Sequence, residues 1–255
     1  MPNIISVFIP VQASADDKEK AQSIAEKWSL PWVTVCPDSV YVTVDSGIVQ
    51  IKDASAPKQQ GVYVDFLSAQ LSYRKEKGGG IKEPLARAFG LKASEPQTII
   101  DATPGLGRDA FVMASVGANV IMVERNPVVA VLLADGLARL QYAGHELATR
   151  LHLIASDSRE YLAEYTGEDI DGVYLDPMFP HRKKSALVKK EMRTFQQFLG
   201  FDEDAGELLT PALQLVKKRV VVKRPNGAEV LSGKPPSMAI ESKKHRFDVY
   251  IKHYC

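Results

Sequence analysis

Between residues 98 and 223, five short apolar runs alternate with segments of helical rhythm. The runs are Thr98-Ile99-Ile100-Asp101, Val120-Ile121-Met122-Val123-Glu124, Leu151-His152-Leu153-Ile154, Gly172-Val173-Tyr174-Leu175-Asp176 and Arg219-Val220-Val221-Val222-Lys223. Helices are predicted between them over 108–116, 127–140, 158–164 and 205–217. Strands this apolar are buried on both faces, and alternation with helices joins them by crossovers. The chain is therefore expected to build an α/β, doubly wound parallel sheet between helical layers. Two closing strands, Met238-Ala239-Ile240 and 246–253, flank the polar turn Ser242-Lys243-Lys244-His245. They predict an antiparallel hairpin at the edge, giving seven strands, mostly parallel, with an antiparallel last strand.

The first third follows another pattern. Ile4 to Pro10 reads as a short strand, Lys18 to Trp28 as a helix, and 41–44, 48–51 and 62–66 as brief strands. Asp45-Ser46-Gly47 is a turn signal, so a small antiparallel hairpin is expected there. Charge and glycine take over at Tyr73-Arg74-Lys75-Glu76-Lys77-Gly78-Gly79-Gly80, which reads as a hinge. This predicts a small N-terminal α+β domain over 1–77 and a second domain over 78–255, the latter opening with a helix over 81–89 closed by Gly90. No apolar run nears the roughly 18 to 20 residues of a membrane span. The first residues lack the basic region and long apolar run of a secretion signal. Cys36 and Cys255 make neither a disulfide framework nor a metal-ligand spacing. A cytoplasmic protein with reduced thiols, no metal and no membrane partner is expected. With 32 Lys and Arg against 31 Asp and Glu, only a local patch could bind nucleic acid.

In open α/β sheets, ligands bind beyond the carboxyl ends of the strands. The first such end runs Asp101-Ala102-Thr103-Pro104-Gly105-Leu106-Gly107-Arg108-Asp109-Ala110. Gly105 and Gly107 permit a tight turn and close approach of a ligand to the backbone. A loose dinucleotide fingerprint also fits here, but Asp109 in the first helical turn would repel the pyrophosphate that such a turn receives. Asp101 and Asp109 instead suit a ligand with a cationic head, such as the ammonium and sulfonium of S-adenosylmethionine. In the other reading, Asp109 is a helix-start charge and Asp101 a turn former. Glu124 and Arg125 end the second strand, where a carboxylate can take both ribose hydroxyls of a nucleoside or simply start the helix at Pro127. Asp157 and Ser158 end the third, as acceptors for an adenine amine or as a plain helix cap.

The fourth strand ends in Asp176-Pro177-Met178-Phe179-Pro180, which resembles the Asp/Asn-Pro-Pro-Tyr/Phe corner of methyltransferases acting on exocyclic amines of bases. An aromatic amine is a poor nucleophile because its lone pair is delocalised into the ring. Acceptors such as the Asp176 carboxylate and the Pro177 carbonyl can hold its N–H groups and favour a pyramidal nitrogen. Phe179 can stack on the base. Directly afterwards, Arg182, Lys183, Lys184, Lys189, Lys190 and Arg193 face only Glu191, a candidate track for RNA phosphates that Arg74 and Lys75 could extend. Lys217, Lys218, Arg219, Lys223 and Arg224 frame the fifth strand, with phosphate contact and plain surface equally open.

Taken together, 101–111, 124–130, 176–180 and 184–193 resemble the ribosomal RNA small subunit methyltransferase J family, as do Val220-Val221-Val222-Lys223-Arg224-Pro225 and Lys244-His245-Arg246-Phe247-Asp248. The likeness spans about residues 61 to 250. It implies a Rossmann-like class I fold, S-adenosylmethionine as methyl donor, and transfer to guanine N2 in small-subunit ribosomal RNA, free or in the small ribosomal subunit. It places cofactor contacts on Arg108, Asp109, Glu124, Arg125, Asp157, Ser158 and Asp176, with Asp157 standing where the family has a serine. Competing expectations are an amino-group methyltransferase acting on another nucleic acid or a protein side-chain amide, a nicotinamide-dependent dehydrogenase, and a non-catalytic RNA-binding factor.

Overall fold

The computed structural model describes residues 5–69, 71–72, 80–177, 204–243 and 245–252. In chain order its elements are β1 (Val7–Phe8), α1 (Ala15–Lys27), β2 (Trp32–Val33), β3 (Val40–Asp45), β4 (Ile48–Asp53), α2 (Pro84–Phe89) and β5 (Thr98–Asp101). There follow α3 (Arg108–Ser115), β6 (Asn119–Glu124), α4 (Pro127–Tyr142), β7 (Leu151–Ala155), α5 (Ser158–Glu164) and β8 (Gly172–Leu175). The last are α6 (Leu209–Leu215), β9 (Arg219–Pro225), β10 (Met238–Glu241) and β11 (His245–Ile251). The seven-stranded sheet has the order β10-β11-β9-β8-β5-β6-β7. β5 to β9 pair in parallel, while β11 runs antiparallel to both β9 and β10. The expected edge hairpin is thus present.

Alternation along each strand feeds two cores. Ile99, Met122, Tyr174 and Val221 point into one, with Phe89, Phe111 and Leu132 from α2, α3 and α4. Ile100, Val123, Val173, Leu175, Val220 and Val222 point into the other, covered by Leu162 of α5 and Leu209 and Ala212 of α6. A strand buried on both sides cannot spare polar positions, which is why these runs are nearly all apolar.

The N-terminal strands form a separate sheet in the order β2-β1-β3-β4. Its β3–β4 hairpin closes through Ser46 (φ 54°) and Gly47 (φ 75°), the two positive-φ positions of a two-residue turn. Three details depart from the sequence expectation. β2 pairs in parallel with β1 over two residues, too short for any periodic signal. The run 62–66 makes only a single bridge, Val62 to Ile51. Its side chains serve packing instead: Val64 lies where a Cβ on Gly136 of α4 would stand, and Phe66 lies against Gly107 and stacks on Phe111 at 5.9 Å. The helix expected over 205–217 begins as a 3-10 turn, Ala205–Leu208, before α6, since Pro211 has no N–H to continue a helix from upstream. Apart from Gly80, the expected hinge segment lies outside the described residues.

One buried carboxylate joins the N-terminal sheet to α4. Asp135 accepts from Lys20 of α1 at 2.6 Å, from Arg139 at 2.9 Å and from the backbone N–H of Val49 in β4 at 3.4 Å. Only 3% of its side chain is exposed. Removing it leaves the Val49 amide without its partner and takes one carboxylate from Lys20 and Arg139, which keep Gly47 O and Val64 O, so Asp135→Ala is expected to lower stability by about 2 kcal/mol. Equilibrium urea unfolding measures that loss, and Lys20→Met should cost less because the Lys20 side chain is 36% exposed.

Candidate active site at the carboxyl ends of the central strands

From β5 the chain builds outward through β6 to β7, then returns to lay β8 on the other side of β5. A parallel sheet opens a crevice where its order reverses, which here is between the carboxyl ends of β5 and β8. Asp101 and Asp176 stand at those two ends. The backbone ties them together: Ala102 N–H donates to Tyr174 O at 3.1 Å, and Asp176 N–H donates to Thr103 Oγ1 at 2.6 Å. Thr103 N–H in turn donates to Asp101 Oδ1 at 3.2 Å.

Beyond Thr103 the turn passes through two left-handed glycines, Gly105 (φ 51°) and Gly107 (φ 71°). They do different work. A Cβ on Gly107 would lie 2.8 Å from the ring of Phe66, so this glycine lets the turn pack down on the core. Among the described residues, nothing lies within 4 Å of a Cβ placed on Gly105, which leaves that backbone open to a ligand. Gly107 is the N-cap of α3, so Arg108, which is exposed, and Asp109 occupy its first turn.

The site is organised by a lysine. Lys223 Nζ lies 2.8 Å from Asp109 Oδ2 and 2.7 Å from Asp176 Oδ2, and the hydroxyl of Tyr174 donates to Asp109 Oδ2 at 2.8 Å. Burial works against the Lys223 ammonium, but the two carboxylates outweigh it and hold its pKa above the usual value. Among the described residues Asp101 has no ion-pair partner, with Lys223 lowering its pKa only through space. It is 1% exposed, and burial pushes its carboxyl well above the ordinary range, with Asp109 and Asp176 adding to the shift.

The other two strand tips carry more local duties. Glu124 accepts from Asn126 N–H at 2.7 Å, and Asn126 caps α4 by accepting from Val128 N–H at 3.0 Å with Pro127 next in line. Asp157 caps α5 by accepting from Arg159 N–H at 2.8 Å. The Arg159 guanidinium on the same carboxylate brings its pKa down to about 2. Ser158 is buried, donating to Ala102 O at 2.8 Å and lying 3.3 Å from Val123 O. Its hydroxyl staples the ends of β5 and β6. Arg125 pairs with Asp204 at 2.5 Å and approaches Asp157 at 4.0 Å, so 204, at the start of the next described segment, closes over the rim.

The structure therefore gathers Asp101, Gly105, Gly107, Asp109, Asp176 and buried Pro177 around one crevice, with Glu124, Arg125, Asp157 and Ser158 along its side. Phe179 and the basic residues Arg74, Lys75, Arg182, Lys183, Lys184, Lys189, Lys190 and Arg193 lie outside the described residues. Thr103 and Tyr174 escaped the sequence reading. A hydroxyl two residues past a strand and a tyrosine inside one carry no signal until register is known. For Lys223 the sequence leaves phosphate contact and plain surface equally open, and its side chain instead pairs with Asp109 and Asp176.

This strand order, with an acidic glycine turn after the first core strand and an Asp-Pro corner after the fourth, defines an S-adenosylmethionine-dependent methyltransferase. Comparison with known proteins agrees. Residues 23–252 match the profile of a family described as "Putative SAM-dependent methyltransferase". The ribosomal RNA small subunit methyltransferase J of Alteromonas mediterranea is 52% identical over 98% of both chains. That of Shewanella sediminis is 49% identical over 91% of this chain and 90% of its own. A solved SAM-dependent methyltransferase from Neisseria gonorrhoeae superposes with a TM-score of 0.75 at 33% identity, covering 96% and 95% of the two chains. The chain belongs to the ribosomal RNA small subunit methyltransferase J family.

The residues fit that family's methyl donor. A dication-bearing head needs carboxylates, and Asp101, Asp109 and Asp176 converge on the crevice with one lysine among them. Open backbone at Gly105 and the Glu124 carboxylate at the next strand tip suit the rest of the molecule. Holding Asp101 in so dry a place has a measurable cost. An acid whose pKa is raised by folding loses stability as pH climbs from its unfolded value, near 4, to its folded one. Asp101→Asn keeps an acceptor for Thr103 N–H and removes the titration. Urea unfolding across pH 4 to 8 should show the variant gaining on the parent as pH rises, and parallel curves would refute the assignment.

Proposed function

We propose that the chain transfers a methyl group from S-adenosylmethionine to the exocyclic N2 amine of a guanosine in small-subunit ribosomal RNA. The observation that carries this reading is the placement of Asp176 at the tip of β8, hydrogen-bonded through its backbone to the β5 loop that also presents Gly105. The relatives' name supports the RNA substrate, and the basic segment from Arg182 to Arg193 supplies cations for its phosphates. Arg74 and Lys75 would extend that contact. A ribosomal RNA substrate supports a cytoplasmic location.

In this reading Asp101, Gly105, Gly107, Arg108, Asp109, Glu124, Arg125, Asp157 and Ser158 form or support the donor side. Asp176, Pro177 and Phe179 form the acceptor side. S-adenosylmethionine, when bound, supplies a methyl carbon made electrophilic by its sulfonium. The Asp176 carboxylate and the Pro177 carbonyl accept the two N–H groups of guanine N2. They draw the nitrogen out of conjugation, and Phe179 fixes the plane of the base. As the nitrogen becomes cationic its proton turns acidic, and Asp176 is placed to receive it before solvent does. No strong base is needed. Rate comes from alignment and from carboxylates facing a developing positive charge.

Deleting an acceptor used chiefly in the transition state typically costs 10² to 10³ in turnover. Asp176→Ala should therefore lose about 10²-fold or more in kcat on small ribosomal subunits or their RNA from a strain lacking this gene, with RNA affinity retained. Mass mapping of ribosomal RNA from that strain should reveal one missing guanine methyl group. A complete set of methyl groups would contradict the proposal. Calorimetry should register S-adenosylhomocysteine and no NAD, and an Asp176→Ala variant of full activity would point to a different acceptor site.

A further inference from the structure

The strand register itself aims a lysine at the acceptor carboxylate. β8 and β9 pair in parallel with Tyr174 opposite Val221 and Leu175 opposite Val222. One step further, that register sets Asp176 beside Lys223, both on the face turned toward α3. The side chain meets Asp176 Oδ2 at 2.7 Å and, across the crevice, Asp109 Oδ2 in the first turn of α3 at 2.8 Å. Its own exposure is 19%, against 16% for Asp109 and 35% for Asp176. By contrast, the Arg125–Asp204 and Arg159–Glu207 pairs at the rim join more open groups and fix nothing inside the crevice. A partly dried ammonium shared by two carboxylates is a poor way to gain stability, because its desolvation offsets most of the attraction. It is a good way to hold a carboxylate still and charged.

We propose that Lys223 is a positioning residue for methyl transfer: its ammonium clamps Asp176 Oδ2 against Asp109 so that the carboxylate faces the target amine in one orientation and as the anion. The inference rests on Asp176 being the acceptor of the amine. The charged and titratable groups around it in the described structure are Asp101 at the end of β5, Asp109 of α3, Tyr174 of β8 and Asp176. Asp109 and Asp176 repel one another as anions, so without the ammonium one of that pair would hold its proton to higher pH. The clamp acts on chemistry more than on binding, since the ion-pair partners of Lys223 among the described residues are the carboxylates of Asp109 and Asp176.

The test is steady-state methylation of small ribosomal subunits by the full-length enzyme, with pH profiles, for Lys223→Met and Lys223→Arg. Methionine matches the length of lysine without its charge, and its fold is checked by circular dichroism and S-adenosylhomocysteine calorimetry. Lys223→Met should lose at least tenfold in kcat at pH 7, with KM for RNA within about twofold of the parent. Its acid limb should move to higher pH, so that part of the loss returns by pH 9, and Lys223→Arg should recover most of it. Parent-like kcat in Lys223→Met, or a loss with an unmoved acid limb and no rescue by arginine, overturns the proposal. Should Lys223→Met not fold, the parent enzyme decides: its kcat should hold down to about pH 5, as for a carboxylate kept ionised by a contacting cation. An acid limb near neutrality overturns the clamp. If Asp176→Ala is itself fully active, the acceptor assignment has failed; if it is inactive while Lys223→Met is normal, the clamp alone has.

Discussion

The parallel pairing of β5 with β8 is the constraint from which the site follows. It sets Ile99 against Gly172 and Asp101 against Tyr174, and it continues past the last ladder bond through Ala102 N–H to Tyr174 O and Asp176 N–H to Thr103 Oγ1. Two acidic strand tips are thereby held a few residues from two glycines with positive φ. Beneath the same strand pair, Gly172 leaves room for α2: a Cβ there would lie 2.6 Å from the ring of Phe89. Packing beneath the sheet and chemistry above it are thus linked by one strand pair.

Electrostatics at those tips is a compromise between folding and function. Three carboxylates share one crevice, and folding alone would not choose that. Burial leaves Asp101 favouring its proton, while Lys223 satisfies the other two. The rim solves its own charges separately, with Arg125, Arg159, Asp157 and Asp204 paired among themselves near solvent. Active sites commonly carry this kind of stored cost, which the rest of the core must outweigh. Two continuous apolar layers, one on each face of the sheet, provide the means.

The fold was legible because period and burial speak loudly in this chain. All five central strands and the edge hairpin stand where apolar runs predict them, and Gly90 ends α2 in a left-handed conformation as expected. What stayed hidden depends on contacts between distant residues. Val62 to Phe66 has strand composition, yet Val64 and Phe66 are used to fill gaps beside Gly136 and Gly107. The candidate site was legible as a set of neighbours: Asp101, Asp109 and Asp176, whose carboxylates suit a cationic ligand, and Gly105, whose turn lies between them in sequence. Lys223 was not, because a lysine at a strand end looks the same whether it faces water or a neighbouring carboxylate. Only the register with β8 decides. Ser158 is a similar case, since its buried hydroxyl donates to Ala102 O, a tie between strand ends that no sequence pattern shows.

Everything proposed for this enzyme assumes that donor and acceptor meet over the seam between β5 and β8. A crystal structure of the complex with S-adenosylhomocysteine tests that most directly. The thioether sulfur should lie over that seam, flanked by the Gly105 turn and Asp176, with the ribose hydroxyls toward Glu124. A sulfur resting elsewhere, or an Asp176 screened from it by intervening protein, would contradict the account.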